Sequence, residues 1–388
     1  ALILCPENPY PVRGGGPTRT AGLVEYLSAR YELDAIVFHE AAPSADSQQH
    51  WSARAHAVEF VRLRPHARHA AARLWRNFVR AVRGVPPLVD RFSGYESFLQ
   101  AFLRGRAYDL AVVEHFWCSG YVPLLRERAS RVVLDLHNLE SVWHERCAQV
   151  TRGLLAWFHR RFTRCAVKLE QQRLSEPSLI LVTSPVEEAL VRQRASGAST
   201  FVYPNTIPYY APYDENRFHR IAFSGNLEYY PNIDAVCFFY KNVWPALVRR
   251  WPRLEWVLIG KNPGGVQAIV RGERIRFTGA VVDAVRELAR AAIAVVPIRA
   301  GSGTRIKILE AWAAGTPVVT TPLGAEGLPL QHGIHGWLAR SPAEFVEAVS
   351  FLLACPTRRE ALARAGRALY EQSFTWEAGW CKLEMAGI

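Results

Sequence analysis

The sequence predicts an α/β protein with two domains, each built on a parallel sheet covered by helices. The 388 residues exceed the length at which a single hydrophobic core usually stops growing. A hydrophobic fraction of 49% and a charged fraction of 21% are typical of soluble globular proteins. Short apolar runs alternate with longer amphipathic stretches, which indicates parallel strands joined by helices.

In the first half of the chain, apolar runs predict six strands and the stretch Thr18 to Arg30 predicts the first helix. The predicted strands are ALILC, LDAIVF, AVEFVRL, YDLAVVE, RVVLDL and SLILVTS, the last around Leu179 to Ser184. Three prolines and several turn-forming residues then interrupt the pattern from Pro204 to Asn216, which predicts a linker.

After the linker the alternation restarts with RIAFSG, LEWVLIG, RIRFTG, IAVVPI and TPVVTT, which indicates a second Rossmann-like unit. We expect a first domain at residues 1–205, a second at 206–370, and a final helix at 371–388 that packs back on the first domain. In open α/β sheets ligands bind beyond the carboxyl ends of the strands, so we expect the active site in a central cleft faced by the two sheets.

The charge and cysteine content restrict the partners and the compartment. Lysine and arginine number 47 against 35 acidic residues, a net charge of +12 that favours nucleotide phosphates, acidic lipids or nucleic acid. The seven cysteines are scattered without a CxxC pair, as in a reduced cytosolic protein. No apolar run reaches membrane-spanning length, and the first residues are typical of a buried strand. We therefore expect a cytoplasmic protein.

The segment from Leu63 to Arg91 is unusually basic and places Trp75, Phe78 and Val82 at helical spacing among arginines. It forms either an amphipathic helix whose apolar stripe faces the core, which we favour, or a peripheral contact with an anionic membrane.

The stretch from Val296 to Thr321 carries the most chemistry. A buried strand ends at Ile298 and is followed by a glycine-rich loop and by a helix that we expect to start near Thr304. Small residues such as Ser302 and Gly303 let a ligand approach the backbone, and helix N-terminal amides favour anions. This loop is therefore a candidate site for a phosphate or a sugar hydroxyl.

Two cations and a carboxylate follow on the same helix. Arg305 and Lys307 fall in the first turn, where the helix dipole disfavours positive charge unless an anion such as a diphosphate compensates it. Glu310 lies one turn further and can accept hydrogen bonds from both hydroxyls of a ribose, although an ion pair with Lys307 is the alternative.

This stretch resembles the signature of the retaining family-four glycosyltransferases, which have the GT-B fold of two Rossmann-like domains. Glu310 matches the second glutamate of their Glu-x7-Glu motif, and GTPVVTT matches the strand that follows. Ser302 stands at the position of the first glutamate, which lies beside the donor sugar in the family. The GTRIK sequence is similar to a glycine-rich branch of the family.

The resemblance extends through the second domain. FSGNLEYYPNIDAV and LIGKNP resemble the first two strand-to-helix loops of that branch and assign donor binding to Gly225, Asn226 and Lys261. FTGAVVD resembles its base-binding turn and assigns a base contact to Val281. Asn232 occupies a region where better-known members place cations, so Arg305, Lys307 and Lys261 would have to carry the charge.

The first domain matches through short motifs only. Gly15 and Gly16 in the loop Pro9 to Arg19 would approach the diphosphate, although a simple turn is the alternative. His137 follows a buried strand, where the family places a donor-contacting histidine. His115 and Trp117 end the preceding strand and are candidates for the acceptor side.

We find no Asp-x-Asp motif and no Walker loop, so we expect no metal or other cofactor; Arg, Lys and backbone amides would offset the charge of the leaving diphosphate. The expected reaction is retaining transfer of a sugar, in the hexosyl class, from a nucleotide diphosphate donor to a glycan, a lipid-linked or a small-molecule acceptor by a front-face displacement. A nucleotide-sugar 2-epimerase, a silent nucleotide-sugar-binding protein and a basic nucleic-acid-binding protein are the alternatives.

Overall fold

The computed structural model describes residues 1–12, 14–67, 69–213, 215, 218–303 and 305–388. By their contacts the residues divide into two compact units. The first comprises residues 1–204, together with 301–303 and 380–388, and the second comprises 205–300 and 304–379. Each unit has a hydrophobic core of its own.

The described residues of the first unit form seven parallel strands in the order β3-β2-β1-β4-β5-β6-β7. Its strands are β1 (Leu2–Cys5), β2 (Asp34–His39), β3 (Ala57–Arg62), β4 (Tyr108–Glu114), β5 (Ala129–Leu136), β6 (Leu179–Val182) and β7 (Thr200–Val202). The order reverses between β1 and β4, which is the topological switch point where such sheets bind ligands at their carboxyl edge.

Helices connect these strands, as parallel pairing requires. They are α1 (Gly15–Ser28), α2 (Ala45–Ser52), α3 (Ala70–Arg83), α4 (Pro87–Arg91), α5 (Glu96–Leu103), α6 (Val122–Arg126), α7 (Glu140–Val150), α8 (Gly153–Arg173) and α9 (Pro185–Arg194), with a 3-10 helix at Phe116–Tyr121. The central strand β1 is fully buried, consistent with its uninterrupted apolar sequence.

In the second unit, the residues that the structure describes form six parallel strands in the order β10-β9-β8-β11-β12-β13. They are β8 (Phe218–Ser224), β9 (Glu255–Ile259), β10 (Ile275–Gly279), β11 (Ala291–Val296), β12 (Val318–Thr320) and β13 (Trp337–Leu338). The helices are α10 (Tyr230–Asn242), α11 (Trp244–Arg250), α12 (Gly264–Gln267), α13 (Ala284–Ala289), α14 (Ile306–Ala313), α15 (Pro342–Ala354) and α16 (Pro356–Ser373). The last helix, α17 (Trp376–Met385), begins in the second unit and ends among residues of the first.

The last residues of the chain belong to the first unit. Trp380 Nε1 donates a hydrogen bond to the carbonyl of Gly22, and Tyr26 Oη donates to the carbonyl of Ile388. Arg131 donates to the carbonyl of Gly387. These bonds attach the chain end to α1 and β5.

The predicted fold class is confirmed, with two differences in detail. The short edge strands β7 and β13 were not expected, because three and two residues carry too little alternation to be recognised. The expectation that the apolar stripe of α3 faces the core is wrong, because Trp75 and Val82 are each 69% exposed.

Candidate functional site

In the second unit, two strands end in glycines that pack closely against each other. Gly225 follows β8 and Gly260 follows β9, and the amide of Gly225 donates to the carbonyl of Ile259 at 2.9 Å. A Cβ placed on Gly260 would lie 1.9 Å from the carbonyl oxygen of Gly225. Only glycine therefore fits there.

Lys307, on the first turn of α14, reaches the same strand end. Its Nζ donates to Asn232 Oδ1 at 2.7 Å, and Asn232 Nδ2 donates to the carbonyl of Asn226 at 2.8 Å. A Cβ on Gly225 would lie only 3.0 Å from Lys307 Nζ. Burial, and secondarily the charge of Arg305, lowers the pKa of Lys307 to about 7. A bound anion would therefore favour protonation of this amine.

Glu310 lies one helical turn after Lys307. Ser224 Oγ donates to Glu310 Oε2 at 2.9 Å. Burial raises the pKa of Glu310, while the Ser224 bond and the charge of Lys307 oppose that shift. Glu310, Lys307, Asn226 and Gly225 are thus brought together around the carboxyl end of β8.

The remaining candidate residues of the second unit are Arg305, Lys261, Val281 and Thr304. Arg305 precedes α14 as its N-cap residue, so the expectation that it lies inside the first turn is wrong by one position. The Lys261 side chain is exposed beyond β9, and Val281 is partly buried against the core. Thr304 lies outside the described residues.

Ser302 and Gly303 belong to the first unit. Asn138 Nδ2 donates to Ser302 Oγ at 3.0 Å, and a Cβ on Gly303 would lie 3.0 Å from the carbonyl oxygen of His137. These two residues therefore lie beside the loop that follows β5.

In the first unit, a buried ion pair joins α1 to β5. Arg19 is 1% exposed, and its Nε donates to Asp135 Oδ2 at 2.7 Å while Nη2 donates to Oδ1. Arg19 Nη1 also donates to the carbonyls of Tyr203 and Pro204, at 3.0 and 3.1 Å. Although burial opposes ionisation, the Arg19 charge holds the pKa of Asp135 well below its usual range.

His137 lies between two carboxylates at the ends of β4 and β5. Its Nε2 is 2.7 Å from Glu114 Oε2 and 3.2 Å from Asp135 Oδ2. Thr20 Oγ1 also donates to Glu114 Oε2, at 2.9 Å. Burial opposes protonation of His137, but Glu114 and Asp135 raise its pKa to about 9. At neutral pH His137 is therefore an imidazolium rather than a general base.

Glu114, Asp135 and His137 are also a candidate metal-ligand group, since one ligand atom from each lies within 4.8 Å of the others. These ligand atoms already have protein partners, however. Arg19 donates to both oxygens of Asp135, and His137 Nε2 lies 2.7 Å from Glu114 Oε2. A metal ion would therefore have to compete with these contacts.

His115 has a backbone conformation that is unusual for a bulky residue, with φ of 62° and ψ of 147°. Its ring stacks on Trp117 at 4.0 Å between centroids and lies 3.6 Å from the His137 ring. Burial, then the charge of His137, lowers the pKa of His115 well below its usual value, so it is neutral. Backbone strain of this kind concentrates at functional sites.

The predicted glycine loop reaches this cluster. Gly15 begins α1, and a Cβ on Gly16 would lie 2.7 Å from Glu7 Oε1 and 3.9 Å from His115 Nε2. A side chain at position 16 would therefore displace Glu7. The structure thus brings Gly16, His115 and His137 together in one part of the first unit.

Beside this cluster is a cavity of about 450 Å³. Trp117 forms part of its wall with Phe38 and Phe92, and Glu40 and Arg91 contribute charge. Phe92 stacks on Trp117 at 5.7 Å, and Trp117 Nε1 donates to Glu140. Aromatic faces next to charged hydrogen-bonding groups make this cavity a candidate for a polar organic ligand such as a sugar.

Sequence reasoning missed Arg19, Glu114 and Asp135, although a signal was present. Both acids interrupt apolar strands, YDLAVVE and RVVLDL, at positions that are fully buried in the structure. Charged residues are almost never fully buried unless they are paired. Each of these acids therefore implied a cationic partner elsewhere in the chain.

Comparisons with known proteins agree with this architecture. Residues 218–355 match the family described as Glycosyl transferases group 1. Sucrose-phosphate synthase from Thermosynechococcus elongatus is 17% identical with a TM-score of 0.73, over 100% of this chain and 98% of that one. HepE from Anabaena, solved with UDP and glucose, is 16% identical with a TM-score of 0.67, over 99% and 98%. A protein from the cps region of Klebsiella pneumoniae, described as uncharacterized, is 18% identical over 346 residues, 86% of this chain and 85% of its own.

The fold and its matches define a two-domain protein of the GT-B glycosyltransferase architecture. The second unit carries a glycosyltransferase group 1 domain. The enzyme class predicted by the sequence, a glycosyltransferase, is thereby confirmed at this level.

Proposed function

We propose that the chain transfers a sugar from a nucleoside diphosphate donor to an acceptor with retention of configuration and without a divalent ion. One observation carries this proposal. Lys307 and Glu310 lie one turn apart at the start of α14, around the glycine-bearing end of β8. A cation for phosphate and a carboxylate for ribose are there placed next to a backbone that a ligand can approach.

The two side chains have different tasks in this proposal. Glu310, oriented by Ser224, accepts hydrogen bonds from the ribose hydroxyls. Lys307, oriented by Asn232, donates to the diphosphate together with Arg305. HepE, a structural neighbour, binds UDP and glucose, which makes UDP the first nucleotide to test. The other proposed donor contacts are Gly225, Asn226, Lys261, Ser302, Gly303, Thr304, Gly15, Gly16 and Val281.

The first unit would supply the other half of the reaction. His137, charged because Glu114 and Asp135 surround it, cannot accept the acceptor proton at neutral pH. It can donate a hydrogen bond from Nδ1 to the donor sugar or its phosphate. His115 and Trp117, with the adjacent 450 Å³ cavity, are the proposed acceptor side.

This arrangement favours a front-face displacement. The departing phosphate oxygen takes the proton of the acceptor hydroxyl as the new glycosidic bond forms and the bond to phosphate breaks. The protein then contributes positioning and stabilisation of the charge that grows on the leaving group. Ser302, at the position of the first family glutamate, provides no carboxylate nucleophile.

The first test compares Glu310→Ala and Lys307→Ala. Loss of hydrogen bonds to a charged group costs about 1.5 to 3 kcal/mol, so Glu310→Ala should weaken UDP binding by roughly tenfold to a hundredfold. Lys307→Ala should weaken UDP binding and should reduce turnover by a larger factor, because leaving-group charge is largest in the transition state. Calorimetric titration with UDP and steady-state kinetics measure the two effects.

The controls for this test separate the ribose from the phosphate. Uridine lacks phosphates, so its binding should respond to Glu310→Ala and hardly to Lys307→Ala. Glu347→Ala and Lys241→Ala remove exposed residues of the same types from this unit and should change neither quantity. If folded Glu310→Ala and Lys307→Ala retain wild-type affinity and turnover, the donor site is elsewhere.

The second test concerns the metal. Turnover should survive exhaustive chelation, because Arg19 and His137 occupy the acidic cluster. Loss of activity with EDTA, restored by magnesium or manganese, would contradict metal independence while leaving the donor assignment intact.

A further inference from the structure

Helix α3 presents large apolar side chains to solvent. Leu74, Phe78 and Val82 follow one another at intervals of four residues, and Trp75 stacks on Phe78 at 5.9 Å. Trp75 and Val82 are each 69% exposed. A stripe of this kind on a helix normally faces a core, so this face lacks the apolar cover that its sequence implies.

A second helix continues the exposed surface. The first turn of α8 carries Leu154, Leu155 and Trp157, which are 54%, 48% and 47% exposed. The two helices pack directly on each other, since Ala81 shares a small core with Phe158 and Phe162. Arg161 Nε also donates to the carbonyl of Ala81 at 2.9 Å, which holds the helices in register.

We call this surface the two-helix face; it consists of the exposed apolar residues of α3 and α8 with their neighbouring cations. Helix α3 contains four arginines and no acidic residue; Arg80, which is buried, and Arg83 form ion pairs with Asp90 of α4, so these two are not part of the face. In α8, Arg160 and Arg164 lie three and seven residues after Trp157, on the same side, and Glu170, the only acid in α8, is buried. The exposed residues Arg73, Arg160 and Arg164 therefore add positive charge beside the apolar anchors.

We propose that the two-helix face docks the protein on an anionic lipid surface. Aromatic and aliphatic side chains would enter the interface while Arg73 and Arg160 contact the headgroups, and the long arginine side chains allow both at once. A second copy of the chain fits poorly, because pairing two such faces would bring like charges together. In the part of the chain that the structure describes, no helix combines the length and the hydropathy of a transmembrane span.

The apolar anchors and the basic residues are two separate signals for membrane attachment. A single acyl chain binds a membrane only marginally, and a second signal such as a basic patch makes the attachment stable. The face provides both in one rigid surface, contributed by segments of the chain about eighty residues apart. This docking is independent of the proposed transferase activity, because none of its residues belongs to the candidate donor or acceptor site.

Vesicle co-sedimentation of the full chain, without any nucleotide, tests the proposal. Vesicles of phosphatidylcholine and phosphatidylglycerol in equal parts should bind the protein at least tenfold more strongly than pure phosphatidylcholine. Each arginine near the surface is worth about fivefold in partitioning, so Arg73→Gln/Arg160→Gln should lower binding about 25-fold. Trp75→Ser/Trp157→Ser should lower it at least tenfold at unchanged net charge.

Matched controls remove the same chemistry elsewhere. Arg249→Gln/Arg250→Gln loses the same net charge from exposed positions on α11, and Val282→Ser/Met385→Ser loses exposed apolar side chains. Both controls should bind like the wild type. Thermal unfolding of each variant confirms that it is folded, which exposed substitutions permit.

Three results would overturn the proposal. Equal binding to the two kinds of vesicle would exclude anionic recognition. A loss equal to that of the α11 control would attribute binding to net charge rather than to this face. A dimer in solution that Trp75→Ser/Trp157→Ser dissociates, without vesicle binding, would identify a second copy as the occupant.

Discussion

The charged cluster of the first unit and that of the second differ in how their charges are compensated. In the first, Arg19 and the His137 imidazolium face Asp135 and Glu114 at hydrogen-bond distance. The pKa values of Asp135 and His137 move toward the charged forms, although burial raises the pKa of Glu114. In the second, Lys307 and Glu310 have neutral hydrogen-bond partners in Asn232 and Ser224, and their pKa values move toward the neutral forms.

This difference separates a structural function from a binding function. A cluster that balances its own charges is costly to disturb, because removing one member leaves an uncompensated charge in the interior. A cluster whose charged forms are disfavoured is inexpensive to disturb, and its missing charge can come from a ligand. The first cluster therefore orients His137, and the second has the properties expected of the proposed diphosphate site.

The largest expected effect is at Arg19. Arg19→Met leaves Asp135 buried without its cation and should lower the free energy of unfolding by about 3 to 5 kcal/mol. Arg192→Met, which removes an exposed ion pair with Glu188, should cost less than about 1 kcal/mol. Urea denaturation followed by circular dichroism measures both.

A further variant tests whether charge is the cause. Arg19→Met/Asp135→Leu removes both charges and should recover part of the loss, because a buried ion pair replaced by apolar residues is often neutral in stability. If Arg19→Met alone unfolds like the wild type, the two clusters do not differ in the way described. Glu310→Gln should leave the free energy of unfolding nearly unchanged, in contrast to Arg19→Met.

The sequence predicted the sheets well because buried parallel strands are continuous apolar runs. RVVLDL and SLILVTS, for example, correspond to the paired strands β5 and β6. The placement of Lys307 and Glu310 one turn apart could also be predicted, since it follows from their spacing within one helix. Local pattern was sufficient in these cases.

Other features depend on residues far apart in the chain. Arg19 pairs with Asp135 across 116 positions, and no local pattern records that pairing. The exposure of Trp75 was missed for the opposite reason, because helical spacing shows that a stripe exists but not what covers it. The strained backbone of His115 likewise has no signal in the residue types around it.

A smaller effect is expected from the protonation of Lys307 in the second unit. With a pKa of about 7, Lys307 is mostly neutral at pH 8 in the free protein. Binding of a diphosphate should protonate it, so complex formation should take up about 0.9 proton at pH 8 and about half a proton at pH 7. For the same reason the affinity should fall by up to tenfold per pH unit above pH 7.

The stability of the free protein should also depend on the protonation of Lys307. The folded pKa of Lys307 lies below its unfolded value, so the unfolded chain binds more protons between pH 7 and about 10.4, and this group makes folding more favourable as pH rises through that window.

Calorimetric titration of UDP at pH 8, in two buffers that differ in ionisation enthalpy, counts the protons taken up on binding. Lys307→Arg provides the matched variant, because arginine stays protonated and should bind UDP with no uptake from this position. Lys261→Arg makes the same substitution at an exposed lysine of the same unit and should keep the wild-type uptake. If Lys307→Arg takes up the same number of protons as the wild type, Lys307 is already charged before the nucleotide binds. The second cluster would then compensate its own charge as the first does, and the contrast between the two units would be lost.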